Sequence, residues 1–147
     1  MSMTLETIRA AHARIAPYIV PTPLPRLPAL DDALGCEVYV TPQGRTRFDK
    51  VHELDAESRH LVLLCENEEG YRNLSYLVSM GWTEGFYIKP RIDLELLRQY
   101  SGGLIALSAC LAGEIPRRLR NGEYENAKAY ALELSHIFGP DRFYLEL

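Results

Sequence analysis

His60-Leu61-Val62-Leu63-Leu64-Cys65, followed by Glu66-Asn67-Glu68-Glu69, is the stretch on which the fold turns. A short, nearly unbroken apolar run of this kind suits a strand buried in a parallel sheet, and Asn67-Glu68-Glu69 offers a capping side chain and two acids for a helix start. The pair reads as one β-to-α unit. Working downstream, Tyr71, Leu74, Leu77 and Val78 share a helix face that Gly81 should end, and residues 82–90 form an aromatic loop. Asp93 should cap a helix over 94–100. Residues 104–107 repeat the buried-strand pattern and leave it through Ser108-Ala109-Cys110. A short helix over 114–120 closes at Asn121-Gly122, and the longest helix, 123–138, ends at Gly139-Pro140 before a last strand over 143–147.

Upstream, Leu5, Ile8, Ala11 and Ile15 recur at helical spacing behind a possible Thr4 cap. Pro17, Pro21, Pro23, Pro25 and Pro28 then exclude helix or central strand, because each lacks an amide donor and restricts its predecessor. This predicts an N-terminal helix plus a proline-rich extension, then a short helix over 28–34, a strand over 37–40 and a loop over 41–52. Strands separated by helices place the chain in the α/β class with a mostly parallel sheet. Ligands of such folds gather at the carboxyl ends of the strands.

The chain has 147 residues, 47% hydrophobic and 24% charged, enough for one buried core. A net charge of -4 provides no whole-molecule positive field, so autonomous DNA binding is not expected. Cys36, Cys65 and Cys110 lie far apart without a CxxC pair, which argues against a disulfide framework or zinc ribbon and for a reducing cytoplasm. Neither a signal-peptide pattern nor a membrane-spanning apolar run is evident.

Three residues combine donor chemistry with suitable placement for a metal: Glu37 near a strand start, His60 at the head of a strand and Cys110 at a strand exit. Each has a plain structural reading too. A lone strand-edge His is more often hydrogen-bonded than metal-bound, a Cys is often a small buried filler, and Glu37 could face solvent. Arg45, Arg47 and Lys50, and likewise Arg117, Arg118 and Arg120, read as solvated basic surface. Glu66, Glu68 and Glu69 read as an acidic helix start.

Long collinear runs shift that balance. Gly35-Cys36-Glu37-Val38-Tyr39-Val40, Arg47-Phe48-Asp49-Lys50, residues 60–64, 70–74, 84–93, 103–111 and 143–147 together resemble the PHP (polymerase and histidinol phosphatase) domain of bacterial DNA polymerase III α subunits. The resemblance implies a partial PHP-type (β/α) barrel over 35–147, with Glu37, His60 and Cys110 as metal ligands for zinc or manganese. In related enzymes such clusters activate water for phosphoester hydrolysis. The family's His-x-His and Thr-Asp-His-Gly motifs, its late Asp and His ligands and the polymerase palm have no counterpart here. The resemblance therefore implies a domain fragment associated with DNA replication, without polymerase activity by itself. A residual metal-dependent phosphoesterase, completed across an oligomer interface by His52 or Glu146, is the alternative.

Residues 5–11, Ile15-Ala16-Pro17-Tyr18, Thr22-Pro23-Leu24, 28–30 and 34–39 resemble the N-terminus of pyridoxal-phosphate-dependent threonine dehydratases. That family's Ser-Phe-Lys segment and Gly-rich phosphate loop do not follow, so no pyridoxal phosphate is expected. The chain thus reads as chimera-like, a dehydratase-like segment over 1–34 joined to a partial PHP domain over 35–147. An incomplete barrel leaves edges and apolar faces that a homo-oligomer would cover.

Overall fold

The computed structural model describes residues 34–57 and 59–146. The expected N-terminal helix, the proline-rich extension and the helix over 28–34 lie outside these residues.

Five strands form one sheet: β1 (Gly35–Val40), β2 (Arg59–Cys65), β3 (Arg91–Ile92), β4 (Leu104–Leu107) and β5 (Phe143–Tyr144), in the spatial order β3-β1-β2-β4-β5. The helices are α1 (His52–Asp55), α2 (Glu68–Thr83), α3 (Leu94–Tyr100), α4 (Glu114–Arg120) and α5 (Tyr124–Phe138). β1 pairs in parallel with β3, and β4 with β5, whereas β2 is antiparallel to both β1 and β4. This corrects the mostly parallel barrel expected from sequence: the described residues form an unclosed β/α sheet of mixed direction. A continuous apolar run signals burial but carries no information about strand direction.

In β2 the side chains of Arg59, Leu61, Leu63 and Cys65 are buried while His60, Val62 and Leu64 are half-buried. Leu61, Leu63 and Cys65 join Val38, Val40, Leu104 and Ala106 against the helices, in one core with Leu77 of α2, Leu97 of α3 and Leu134 and Phe138 of α5. Burying each large aliphatic side chain contributes about 1.5–3 kcal/mol, which makes this layer the principal source of stability. The opposite sheet face carries Glu37, Tyr39, His60 and Val62, because side chains two apart on a strand share a face.

Local signals explain the helix ends. The Asn67 side chain accepts from the Gly70 amide at 3.0 Å, and Asp93 Oδ1 accepts from the Leu96 amide at 2.9 Å. α2 runs beyond Gly81 to Thr83. Gly81 is buried within the helix, where an added Cβ would sit in ordinary contact 3.5 Å from Ile92, so this glycine is not a helix end. The expected loop over 41–52 becomes an excursion that ends in α1.

The excursion is anchored by a buried cation. The Arg91 guanidinium is fully buried and donates to the carbonyl oxygens of Gly85 (3.2 Å), Asp55 (3.2 Å), Arg47 (3.3 Å) and Asp49 (2.9 Å). Burial depresses its pKa, while the charges of Asp55 and Asp49 oppose that shift. The basic loop expected to be solvated is instead paired: Arg45 grips Asp55 with two 2.8 Å bonds, and Arg47 bonds Glu84 and Asp93. No helix among the described residues is long and apolar enough to cross a membrane.

Candidate metal centre

Glu37, His60 and Cys110 come from three separate places and meet on the sheet face opposite the helix-packed core. His60 lies opposite Tyr39 in the β1-β2 register and Glu37 lies two residues back on β1, so the two ligand candidates are diagonal neighbours. Their side chains touch, with His60 Nδ1 2.9 Å from Glu37 Oε2. Cys110 Sγ lies 3.6 Å from the same nitrogen. One donor atom from each residue lies within 4.8 Å of the others.

The turn after β4 presents the thiol. Ser108 is tied to the chain end by its amide, which donates to the Tyr144 carbonyl at 3.0 Å, and by its hydroxyl, which accepts from the Glu146 amide at 2.9 Å. Ala109 then adopts the left-handed region at φ 62°, which is uncommon for a residue with a Cβ and turns the chain so that Cys110 is exposed. The Gly113 amide closes the turn by donating to the Cys110 carbonyl at 2.8 Å. A side chain at Gly113 would collide with the Ser108 carbonyl oxygen, so glycine is required there for close approach. Finally, the His60 amide donates to the Ala112 carbonyl at 3.4 Å, joining this turn to the head of β2.

A buried ion-pair cluster supports the same junction. Glu114, the first residue of α4, accepts from Arg59 Nε at 2.6 Å and from Arg118 Nε at 2.7 Å, with Arg117 Nε at 3.5 Å. Burial alone would raise the Glu114 carboxyl, but the Arg118 bond and the charges of Arg118, Arg59 and Arg117 leave its pKa lowered. Arg117 and Arg118 were expected on solvated surface. The structure corrects this, because they neutralise a carboxylate that the fold buries.

A carboxylate, an imidazole and a thiol are suitable donors for a borderline-soft divalent ion, and three protein ligands leave an open coordination position. Glu37 and Cys110 are exposed and His60 is partly buried, so an ion there would be reachable from solvent. Among the described residues, neither His52 nor Glu146 joins the cluster. Two neighbours escaped the sequence reading. The Tyr39 ring meets His60 edge to face at 5.1 Å, and Lys89 Nζ lies 4.6 Å from the Tyr39 ring centre. Strand alternation from Glu37 could have placed Tyr39; nothing local signals Lys89.

Residues 29–147 match the family model described as the PHP domain. DNA polymerase III subunit alpha of Chlamydia pneumoniae is 55% identical over 114 residues, covering 75% of this chain and 9% of the relative. The same subunit of Treponema pallidum is 44% identical over 115 residues, covering 78% of this chain and 10% of the relative. That of Thermus aquaticus is 44% identical over 114 residues, covering 78% and 9%. The chain spans about a tenth of the length of the curated relatives it matches. These similarities support the polymerase-domain resemblance and lend none to the dehydratase resemblance of residues 4–39. With its residues 29–147 matched by that model, the chain belongs to the PHP domain family.

Proposed function

We propose that this chain is a PHP-domain portion of a replicative DNA polymerase III α subunit that binds a divalent ion through Glu37, His60 and Cys110 and performs no polymerisation by itself. The observation that carries the reading is the convergence of the three donor types on one accessible point, from β1, β2 and the turn after β4. The ion would be zinc or manganese, acting as a Lewis acid toward a bound oxygen. The fragment acts in the cytoplasm during DNA replication and relies on the rest of its assembly for DNA, since its net charge is -4.

A second reading, residual phosphoester hydrolysis, is favoured by the open coordination position. Self-association through the β5 edge would cover Leu111, Tyr144 and Leu145, all more than half exposed. Elemental analysis and light scattering on one purified sample test these statements together. About one ion per chain, lost in His60→Ala and Cys110→Ala, is the expected result. Unchanged metal content in both variants would overturn the site.

A further inference from the structure

Lys89 stands beside the triad with its charge unspent. Its ammonium lies over the Tyr39 ring at 4.6 Å, and that ring in turn abuts His60 at 5.1 Å. Glu37, Tyr39 and His60 share one sheet face, so the cation is carried to the side of the sheet where the triad opens. Among the described residues, no carboxylate lies within ion-pair distance of Lys89. Glu37, two residues before Tyr39 on β1, already contacts His60.

The segment bearing Lys89 is held in an unfavourable conformation. Ile88 has φ 65°, an outlier for a β-branched residue, and its side chain is exposed, so burial of that side chain does not account for the strain. The Tyr87 amide donates to the Lys89 carbonyl at 3.0 Å and stabilises the turn. Arg91 then locks the following residue pair into β3. A rigid turn therefore sets the Lys89 stem at the Tyr39 ring, and an aromatic face favours a cation there.

We propose that Lys89 is the anion-positioning residue of this centre, donating to one oxygen of a phosphate group whose other oxygen occupies the open position of the ion. The proposal rests on the metal-site reading above. Glu37 and a Cys110 thiolate would together balance the charge of a divalent ion, so the Lys89 ammonium is what makes the opening attractive to an oxyanion. Tyr39 acts as the spacer that keeps the ammonium from collapsing onto Glu37.

Inorganic phosphate is the probe, titrated calorimetrically into the full chain after loading with manganese, with metal content measured on each sample. Lys89→Gln should weaken phosphate binding about tenfold or more at unchanged metal stoichiometry, and Lys89→Arg should restore most of it. Equal phosphate affinity in Lys89→Gln and the parent, both loaded, overturns the role of Lys89 and leaves the metal site standing. A parent chain that holds no ion overturns both.

Discussion

Replacing Glu114 by Gln removes one charge without changing shape, and the structure sets the size of the result. Glu114 is buried, and Arg59 and Arg118 approach it at 2.6 and 2.7 Å with side-chain exposures of 8% and 11%. Removing one member of so buried a pair costs about 3–5 kcal/mol, because the desolvated partners keep their charge. Against a total stability of about 5–15 kcal/mol, that is a large fraction. With a urea dependence of about 1–3 kcal/mol per molar, the unfolding midpoint should fall by roughly 1–5 M. Far-UV circular dichroism is the suitable probe, since the lone Trp82 is exposed and a poor reporter of unfolding. The double variant Arg59→Met, Glu114→Met should be less destabilised than Glu114→Gln alone. It removes the most buried cation, while Arg118 keeps its bond to the Asn126 carbonyl and Arg117 is already partly exposed. A midpoint loss in Glu114→Gln worth less than about 1 kcal/mol, or a double variant worse than the single, would refute the view that uncompensated charge dominates this junction.

Arg91→Met should lose about 3–5 kcal/mol and make the 42–57 excursion sensitive to limited proteolysis, since four carbonyl oxygens lose their common donor. Gly70→Ala should cost about 2 kcal/mol or more in urea unfolding, because an added Cβ would run into the Gly103 carbonyl oxygen on the backbone. The Asp55 carboxyl is held at about 2, chiefly by the Arg45 hydrogen bond, which outweighs desolvation and is aided by the Val51 amide. Its folded-state pKa is below the unfolded value. The stabilisation is therefore fully present above about pH 4 and lost as pH falls through about 2, amounting to about 1–2 kcal/mol after screening at Arg45, whose side chain is 27% exposed. Acid titration of Asp55→Asn, followed by circular dichroism, should lack that component; an identical acid limb would count against it.

Helices were readable because their signals are local. Asn67 and Asp93 cap the helices they were expected to cap; of the face that 3.6-residue spacing sets for α5 (Tyr124, Ala127, Ala131, Leu134 and Phe138), Ala127, Leu134 and Phe138 are buried whereas Tyr124 is exposed and Tyr130 is buried instead. The buried charges were not readable. Arg59, Arg91, Asp55 and Glu114 look in sequence like ordinary surface residues, and only long-range packing pairs Arg59 with Glu114 across 55 positions. β3 was missed for the same reason, as two residues carry no periodicity and are a strand only because β1 lies beside them. Glu37, His60 and Cys110 were named through resemblance, while periodicity alone left each with a plain structural role.

The misread direction of β2 is what assembles the centre. His60 sits near the start of β2, whereas Cys110 follows the carboxyl end of β4. If β2 ran parallel to its neighbours, its first residues would lie at the opposite sheet edge from that exit, separated by roughly 20 Å for a seven-residue strand. No side chain bridges such a gap. Because β2 runs antiparallel to both β1 and β4, its first residues instead meet Tyr39 and Val40 at the end of β1, and the turn after β4 folds onto them. The long excursion between β1 and β2, pinned by Arg91, is what lets the chain reverse and return at that edge. A parallel β2 would therefore keep His60 and Cys110 apart. The reversal also lets one sheet edge gather ligands from strands on both sides of β2 without a crossover helix between β1 and β2.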